Sequence, residues 1–405
     1  MEIITYIQRE HPAYGRATTA LFGGAFVTFA ELYATQPLMP VLSEDFHVTP
    51  ALSSLSLSVA TAALAISMLW VSGLSDSWGR KRLMSVSLLA SAIISIFVAI
   101  SPNFIILLTL RAVQGIVIAG FPSIAMAYVN EEFHPTDIGR TMGLYVSGTT
   151  VGGMMGRIAI AVLSDAFSWR MAILVIGLLN LGIALWFWFA LPRSRNYTPK
   201  SVSTAEVVTR LGKAFHSKAL IGVYTLGFLL MGGFVTMYNY VTYLLIGSPY
   251  HLSQTLVGFI FIVYLTGTIG STWMGKIADS IGRSETLTIS ITIALVGCLT
   301  TLFMPLVLKI IGLGIFTFGF FGAHSTASGW VGQLAPTYRA QASSLYLFFY
   351  YTGSSILGMV GGVFWSAYGW KGVIGMITVL LVVAWMVEHM VARVTYSQTK
   401  SHITF

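Results

Sequence analysis

The sequence predicts an all-α membrane protein in which twelve transmembrane helices form two parallel six-helix repeats. Three observations carry this prediction: scarce charge, apolar runs that alternate with charged loops, and a repeat that halves the chain. Of the 405 residues, 56% are hydrophobic and 9% are charged. Soluble domains carry about 25% charged residues, so this chain cannot cover a water-facing surface. The composition excludes a secreted disulfide scaffold, a nucleic-acid-binding domain and an ordinary cytosolic enzyme.

Apolar runs recur along the chain and are separated by turn and charge signals. A helix that crosses a bilayer needs about 20 apolar residues, which leaves room for twelve spans with short connections. The chain has one cysteine, Cys298, so an intrachain disulfide is excluded. This cysteine lies inside one of the apolar runs. We predict spans at residues 18–42, 51–72, 83–101, 104–129, 139–164, 170–191, 219–246, 255–275, 285–304, 310–333, 341–366 and 371–391.

The positions of the basic residues predict the orientation of these spans. Most of the 22 Lys and Arg residues fall in loops on one side, and the other side holds Arg170, Lys309 and Lys371. Cytoplasmic loops carry an excess of Lys and Arg. We therefore expect both termini and the long central loop to be cytoplasmic.

A repeat divides the chain into two halves. The stretch SGLSDSWGRKRLM, which starts at Ser72, is repeated as GKIADSIGRSETL from Gly275. The pair Trp169-Arg170 is repeated as Trp370-Lys371. Matches in corresponding loops indicate that six spans are repeated in parallel, an arrangement typical of one large transporter class. We predict a cytoplasmic N-terminus (1–17), an N-terminal bundle (18–191), a linker (192–218), a C-terminal bundle (219–391) and a cytoplasmic tail (392–405).

With these residues in view, the chain resembles the major facilitator superfamily over nearly its whole length. The loop after span 2 is similar to that superfamily's signature, small-x-x-x-Asp-x-x-Gly-Arg-basic, with Ser72 in the place of the usual Gly. The pattern that starts at Arg111 in span 4 resembles a signature of proton-coupled members. The run GTTVGGMMGR from Gly148 resembles the antiporter signature, with Gly153 where those exporters usually have Pro.

Two further runs resemble a narrower group. AHSTASGWVG, from Ala323, and AQASSLYLFFYYTGSS, from Ala340, are similar to YnfM-type bacterial inner-membrane transporters, which are usually grouped with drug and metabolite exporters. The resemblance implies the major facilitator fold and a bacterial cytoplasmic membrane, and it leaves the cargo and its direction open.

The repeated loops predict a cytoplasmic gate. In the family this loop packs against the second bundle, and a loop that only anchored charge would not need Gly or Asp. Glu131 and Glu132, at the cytoplasmic end of span 4, are the expected partners of the first arginine. The alternative is that these charges only set topology. The gate residues are Asp76, Gly79, Arg80, Asp279, Gly282 and Arg283.

Ionisable residues inside spans are functional candidates because charge in hydrocarbon is costly. For Glu31, in span 1, two roles remain open: a proton carrier, or a static ion pair with Arg111. Arg111 either organises Glu31 and nearby backbone carbonyls or contacts the substrate. Arg157 either holds an anionic substrate or packs near the outer surface and reaches towards Asp165. His324, in span 10, either takes part in proton coupling or is a satisfied hydrogen-bonding residue.

Aromatic residues with polar tips in spans 7, 10 and 11 suit a cavity for amphipathic compounds. We expect Tyr238, Asn239 and Tyr350, together with Arg157, to line the substrate path. The leading hypothesis is a proton-coupled exporter of small amphipathic molecules that works by alternating access. The alternative is a transporter of a polar or anionic metabolite.

Several other functions have no support in the sequence. An enzyme is not expected because the chain has no HExxH, no GxSxG and no paired intramembrane carboxylates, and direct ATP drive is unsupported because no P-loop occurs. No His/Cys cluster has metal-ligand spacing, so we expect neither a metal nor a cofactor. The expected partners are a small-molecule substrate, protons and the lipid bilayer, and the expected state is a monomer.

Overall fold

The computed structural model confirms the all-α membrane class. It describes residues 6–196, 209, 212 and 214–403, except for the side chains of 72–74, 76, 77, 340 and 396–403. Within these ranges, every element longer than an isolated bridge is a helix. Nine stretches of the described residues are long and apolar enough to cross a membrane.

In the described part of the chain, fourteen α-helices cover the twelve predicted spans. The last of them is interrupted at Gly369, where a positive φ of 59° separates the helices of predicted spans 11 and 12. The helices are α1 (Ala13–Leu32), α2 (Met39–Asp45), α3 (Pro50–Trp78), α4 (Arg80–Ala99), α5 (Phe104–Ile118), α6 (Pro122–Glu132), α7 (Pro135–Ala166), α8 (Trp169–Ala190), α9 (Lys218–Ile246), α10 (Gln254–Phe259), α11 (Tyr264–Ile281), α12 (Arg283–Thr300), α13 (Leu306–Leu334) and α14 (Arg339–Ile403).

Predicted spans 1, 4 and 8 are each divided into two α-helices, and in span 8 a 3-10 turn over Ile260–Val263 joins them. The predicted helix over 18–42 ends at Leu32 and resumes at Met39, after a turn over residues 33–38. The helix of span 4 stops at Ile118 and restarts at Pro122. Proline has no N–H to donate and restricts the residue before it, so it begins a helix more readily than it continues one. The first break leaves the carbonyls at the end of α1 available to other side chains.

The chain forms two compact units. Unit 1 consists of Met1–His47, Val59–Ser201 and Leu252–Phe261. Unit 2 consists of Val48–Ser58, Val202–His251 and Ile262–Phe405. Each unit therefore contains most of one half of the sequence and a short segment of the other half.

Glycines allow close helix contact in unit 1. Gly148 and Gly156 of α7 are eight residues apart on one helix face, and both lie against α1. A Cβ added at Gly148 would lie 2.6 Å from the Phe22 carbonyl oxygen, and one at Gly156 would lie 2.7 Å from the Ala30 Cα. Small residues that let backbones approach are a recurrent basis of helix association in membranes. This packing holds the end of α1 in place.

Polar bonds to the backbone join α9 and α14 in unit 2. The Thr236 hydroxyl donates to the Leu357 carbonyl over 3.0 Å, and the Tyr240 hydroxyl donates to the Gly358 carbonyl over 2.7 Å. These bonds fix the rotation of α9, and Tyr238 and Asn239 of that helix are fully buried.

Candidate functional site

Glu31 is the buried carboxylate at the centre of the candidate site in unit 1. It lies in the last turn of α1 and has no exposed surface. The Asn180 amide of α8 donates to its Oε1 over 3.2 Å. Its second oxygen, Oε2, is buried and has no hydrogen-bond partner among the described residues. The carboxyl therefore accepts a hydrogen bond from a neutral amide, while the charge of the neighbouring Arg111 also acts on it.

Arg111 binds the backbone at the end of α1. Its Nη1 donates to the Glu31 carbonyl oxygen over 2.9 Å, and its Nη2 donates to the Leu32 carbonyl oxygen over 2.5 Å. Gln114, one turn along α5, accepts from Nη1 over 2.6 Å. The last carbonyls of a helix lack intrahelical partners and carry negative partial charge. Arg111 thus holds the main chain of Glu31, and its charge also acts on the Glu31 carboxyl.

Arg157 is buried beside the turn that follows α1. Its Nε donates to Gln36 Oε1 over 2.7 Å, and its Nη1 donates to the Gly153 carbonyl over 2.6 Å. The guanidinium lies 4.1 Å from the centre of the Tyr33 ring. Asp165, the carboxylate towards which Arg157 was expected to reach, accepts from the backbone N–H of Thr255 over 3.2 Å. Arg157 is two turns below the end of α7 and extends towards α1.

His324 lies in an aromatic setting in unit 2. Its Nδ1 is 2.9 Å from the Tyr346 hydroxyl, and its ring centre is 4.6 Å from that of Tyr350. The Phe320 ring lies parallel to the imidazole at 6.0 Å. The structure therefore brings His324 and Tyr350 together, and the hydrogen bond to Tyr346 satisfies one ring nitrogen.

Tyr238 belongs to aromatic rings of unit 2 that connect through Phe320 to the surroundings of His324. Its hydroxyl is 2.5 Å from Thr317 Oγ1, and its ring centre lies 4.8 Å from that of Tyr264. The neighbouring Phe234 stacks on Phe320 at 3.9 Å, and Phe320 in turn stacks on the histidine. We call these rings, with His324, the aromatic cluster: Phe234, Tyr238, Tyr264, Phe320, His324, Tyr346 and Tyr350. Asn239 points to a different neighbour, since its Nδ2 would lie 3.3 Å from a Cβ placed on Gly358.

The first copy of the predicted gate is an ion pair at the start of α4. Gly79 caps this helix with a φ of 84°. A residue with a side chain would be strained at this φ. Arg80 binds Glu131 through both nitrogens of its fork, Nε at 3.1 Å and Nη2 at 2.9 Å. Glu132, the other expected partner, instead accepts from the backbone N–H groups of residues 195 and 196. The side chain of Asp76 lies outside the described residues.

The second copy keeps the positive φ of its glycine, but its arginine has no ion pair among the residues that the structure describes. Gly282 has a φ of 98° at the start of α12. The Arg283 Nε donates to the neutral amide oxygen of Gln333 over 2.8 Å. Asp279 is exposed, and it lines an open cavity of about 720 Å³ together with Arg283 and Gln333. The two repeated arginines therefore differ in charge compensation.

Three polar residues of the spans were missed by the sequence reasoning. Asn180 and Gln36 are the partners of Glu31 and Arg157, and they were passed over because neutral amides are not ionisable. Glu388 is a second fully buried acid, and it accepts from the hydroxyls of Ser284 and Thr288. Its position inside the apolar run of predicted span 12 was a sufficient signal. Glu31 is thus not the sole acid in the predicted spans.

Comparison with known proteins gives one family. The sequence profile of the Major Facilitator Superfamily matches residues 21–358. Among curated relatives, the uncharacterized MFS-type transporter YybF of Bacillus subtilis is 45% identical over 390 residues, which cover 96% of each chain. The inner membrane transport protein YnfM of Escherichia coli is 44% identical over 382 residues, which cover 94% of this chain and 92% of that one.

Solved structures share the fold at low sequence identity. A bacterial homologue of the human lysosomal transporter Spinster, in an inward-facing and occupied conformation, has a TM-score of 0.78 at 14% identity and covers 95% of this chain and 98% of that one. The nucleoside transporter NupG has a TM-score of 0.75 at 15% identity, with 92% and 99% covered.

Proposed function

This chain belongs to the major facilitator superfamily of transporters, and on that premise we propose that it is a proton-coupled exporter of small amphipathic molecules. Transport would proceed by alternating access, driven by the proton gradient. The observation that carries the proposal is the environment of Glu31, a fully buried carboxylate whose hydrogen bond comes from a neutral amide.

Proton exchange at Glu31 follows from the cost of burying charge. Burying a carboxylate is costly even beside a cation, and Arg111, whose charge acts on Glu31, directs two hydrogen bonds at the backbone carbonyls of residues 31 and 32. A proton on Glu31 removes that cost. When the site opens to water the charge is solvated and the proton leaves. Arg111 keeps the end of α1 in position in both states.

The aromatic cluster supports an amphipathic substrate. Large ring faces offer apolar contact, and the hydroxyls of Tyr238 and Tyr350 and the imidazole of His324 offer polar tips. In this proposal Tyr238, Asn239 and Tyr350 line the path, while His324 fixes Tyr346 and assists proton transfer. Export is favoured over uptake by the similarity of the run from Gly148 to the antiporter signature.

The proposal includes a placement in the membrane. The basic loops lie on the cytoplasmic side, and both termini and the linker 192–218 lie with them. The bundles 18–191 and 219–391 are the two moving bodies, and the protein works as a monomer. The gate is the pair of repeated loops: Asp76, Gly79, Arg80, Asp279, Gly282 and Arg283.

A second candidate function rests on Arg157. This buried cation donates to the neutral oxygens of Gln36 and Gly153, an arrangement that an anionic group of a polar metabolite can join. Saturable uptake of organic anions that is lost in Arg157→Gln favours this second function. The same variant leaves transport of uncharged amphipathic dyes in place if the first proposal holds.

The test uses purified protein in proteoliposomes with a panel of fluorescent amphipathic dyes. An imposed pH gradient drives dye accumulation in the wild type. In Glu31→Gln we expect gradient-driven accumulation to disappear while dye counterflow continues, because the substrate path is intact and the proton site is gone. Accumulation that persists in this variant contradicts the role of Glu31. The absence of gradient-driven transport for every compound in the wild type contradicts proton-coupled export.

A further inference from the structure

Two adjoining cavities occupy one end of unit 1, where α1 and α4 begin and α8 ends. Their volumes are about 400 Å³ and about 530 Å³, and they share Lys81, Arg193 and Ser194. We call the combined site the basic pocket. The residues of the basic pocket that carry the argument are Arg16, Lys81, Arg82, Arg193, Trp188 and Phe189.

The cations of the basic pocket are not neutralised by the described part of the chain. No carboxylate among the described residues lies within ion-pair distance of Arg16, Lys81, Arg82 or Arg193. The acids have other partners, since Glu131 binds Arg80, and Glu132, which lines the larger cavity, accepts two backbone N–H groups. The pocket therefore concentrates positive charge that an anion can compensate.

The positions of these cations also run against helix stability. Lys81 and Arg82 lie in the first turn of α4, and Arg16 lies in the first turn of α1. A helix N-terminus carries positive partial charge, which disfavours cations there and favours anions. Topology alone requires basic residues in the loop. It does not require them to surround a cavity at two helix starts.

The edge of the basic pocket is apolar. Trp188 and Phe189, in the last turn of α8, have 38% and 79% of their surfaces exposed. Tryptophan is enriched at the depth of the lipid headgroups. An occupant that meets both the cations and these rings has a phosphate at one end and hydrocarbon at the other.

We propose that the basic pocket binds an anionic phospholipid, with its phosphate among Lys81, Arg82 and Arg193 and its acyl chains along Trp188 and Phe189. Basic pockets between transmembrane helices are known to hold anionic headgroups. The two adjoining cavities suit the two phosphates of cardiolipin. This site does not depend on the proposed proton coupling, since it lies at the end of the bundle, away from Glu31.

Native mass spectrometry of the delipidated full-length protein in detergent measures this binding directly. The probes are cardiolipin, phosphatidylglycerol, zwitterionic phosphatidylethanolamine and inorganic phosphate. We expect cardiolipin to bind tightest and phosphatidylethanolamine weakly. Inorganic phosphate that displaces cardiolipin at millimolar concentration would show a site for free phosphate and would overturn the lipid assignment.

The double variant Lys81→Gln/Arg193→Gln tests the cations. Since each basic residue near an anionic lipid adds its own attraction, we expect cardiolipin to bind roughly 30-fold more weakly. The matched control is Lys218→Gln/Lys276→Gln, which removes the same charge from exposed positions elsewhere. Equal weakening in both double variants would mean general charge attraction and would overturn the site.

Trp188→Ala tests the apolar edge without changing charge. We expect it to weaken cardiolipin binding several-fold and to leave the salt dependence of binding unchanged. Trp186→Ala, at an exposed position of the same helix outside the basic pocket, is the control. Loss of binding in the control alone contradicts the proposed path of the acyl chains.

Discussion

Replacing Gly156 with alanine perturbs the contact that holds Glu31 in place. Gly156 lies against Ala30, the residue before Glu31, and a Cβ at Gly156 would lie 2.7 Å from both the Cα and the Cβ of Ala30. Carbon atoms pack best at about 3.5–4.0 Å. Helices α1 and α7 must therefore separate by about 1 Å to admit one methyl group.

A matched glycine on the same helix isolates the cost of this separation. A Cβ added at Gly143 meets no atom within 4 Å. Both substitutions gain the same helix propensity, about 0.8–1 kcal/mol, so this contribution cancels in the comparison. Overpacking costs about 1–3 kcal/mol. We therefore expect Gly156→Ala to be less stable than Gly143→Ala by about 1–3 kcal/mol.

Thermal unfolding of the purified variants in one detergent, at one scan rate, checks this expectation. The predicted difference is a Tm several degrees lower for Gly156→Ala than for Gly143→Ala. Gly156→Ala also moves the end of α1, so proton-driven dye transport should be lower in Gly156→Ala than in Gly143→Ala. Equal Tm values would refute the tight contact between α1 and α7.

Two further predictions concern the repeated loops. Arg80→Gln should lower the free energy of unfolding by about 1–3 kcal/mol, because it leaves Glu131 without its charged partner. Exchanging the two residues, with Glu at position 80 and Arg at position 131, should restore most of the Tm. Arg283→Gln should lower the free energy of unfolding by less. Equal losses of stability in the two arginine variants would mean that pairing with a carboxylate, as in the first copy, stabilises the protein no more than pairing with a neutral amide. Gly79→Ala should lower the free energy of unfolding by about 1–3 kcal/mol because a side chain is strained at a φ of 84°. Gly275→Ala, inside α11 with no atom within 4 Å of the added Cβ, should raise it by about 0.8–1 kcal/mol. A Gly79→Ala variant as stable as the wild type would contradict the strain.

The sequence predicted the spans and the repeated loops because their signals are local. Apolar length marks a span, and the repeated glycines share a positive φ, at Gly79 and at Gly282. The break after Leu32 was missed because apolar content continues through it, and hydropathy does not register where a helix turns. Pro37 and Pro40 were the local signals of that break.

The partners inside the site were harder to predict. Asn180 meets Glu31 across 149 positions of sequence, and no local pattern links the two. The sequence offered Arg111 as an organiser of Glu31 and nearby backbone carbonyls but could not say which carbonyls. The structure gives those of residues 31 and 32, because a helix that ends inside the bundle has acceptors of its own to satisfy.

Substrate-induced proton release tests most directly whether Glu31 carries the coupled proton. A transported dye is added to purified protein in weakly buffered detergent solution, and a pH indicator reports the protons released. Glu388→Gln is the matched control because Glu388 is also fully buried, where it contacts Ser284, Thr288 and His389. We predict release in the wild type and in Glu388→Gln, and none in Glu31→Gln. Undiminished release from Glu31→Gln would contradict the account.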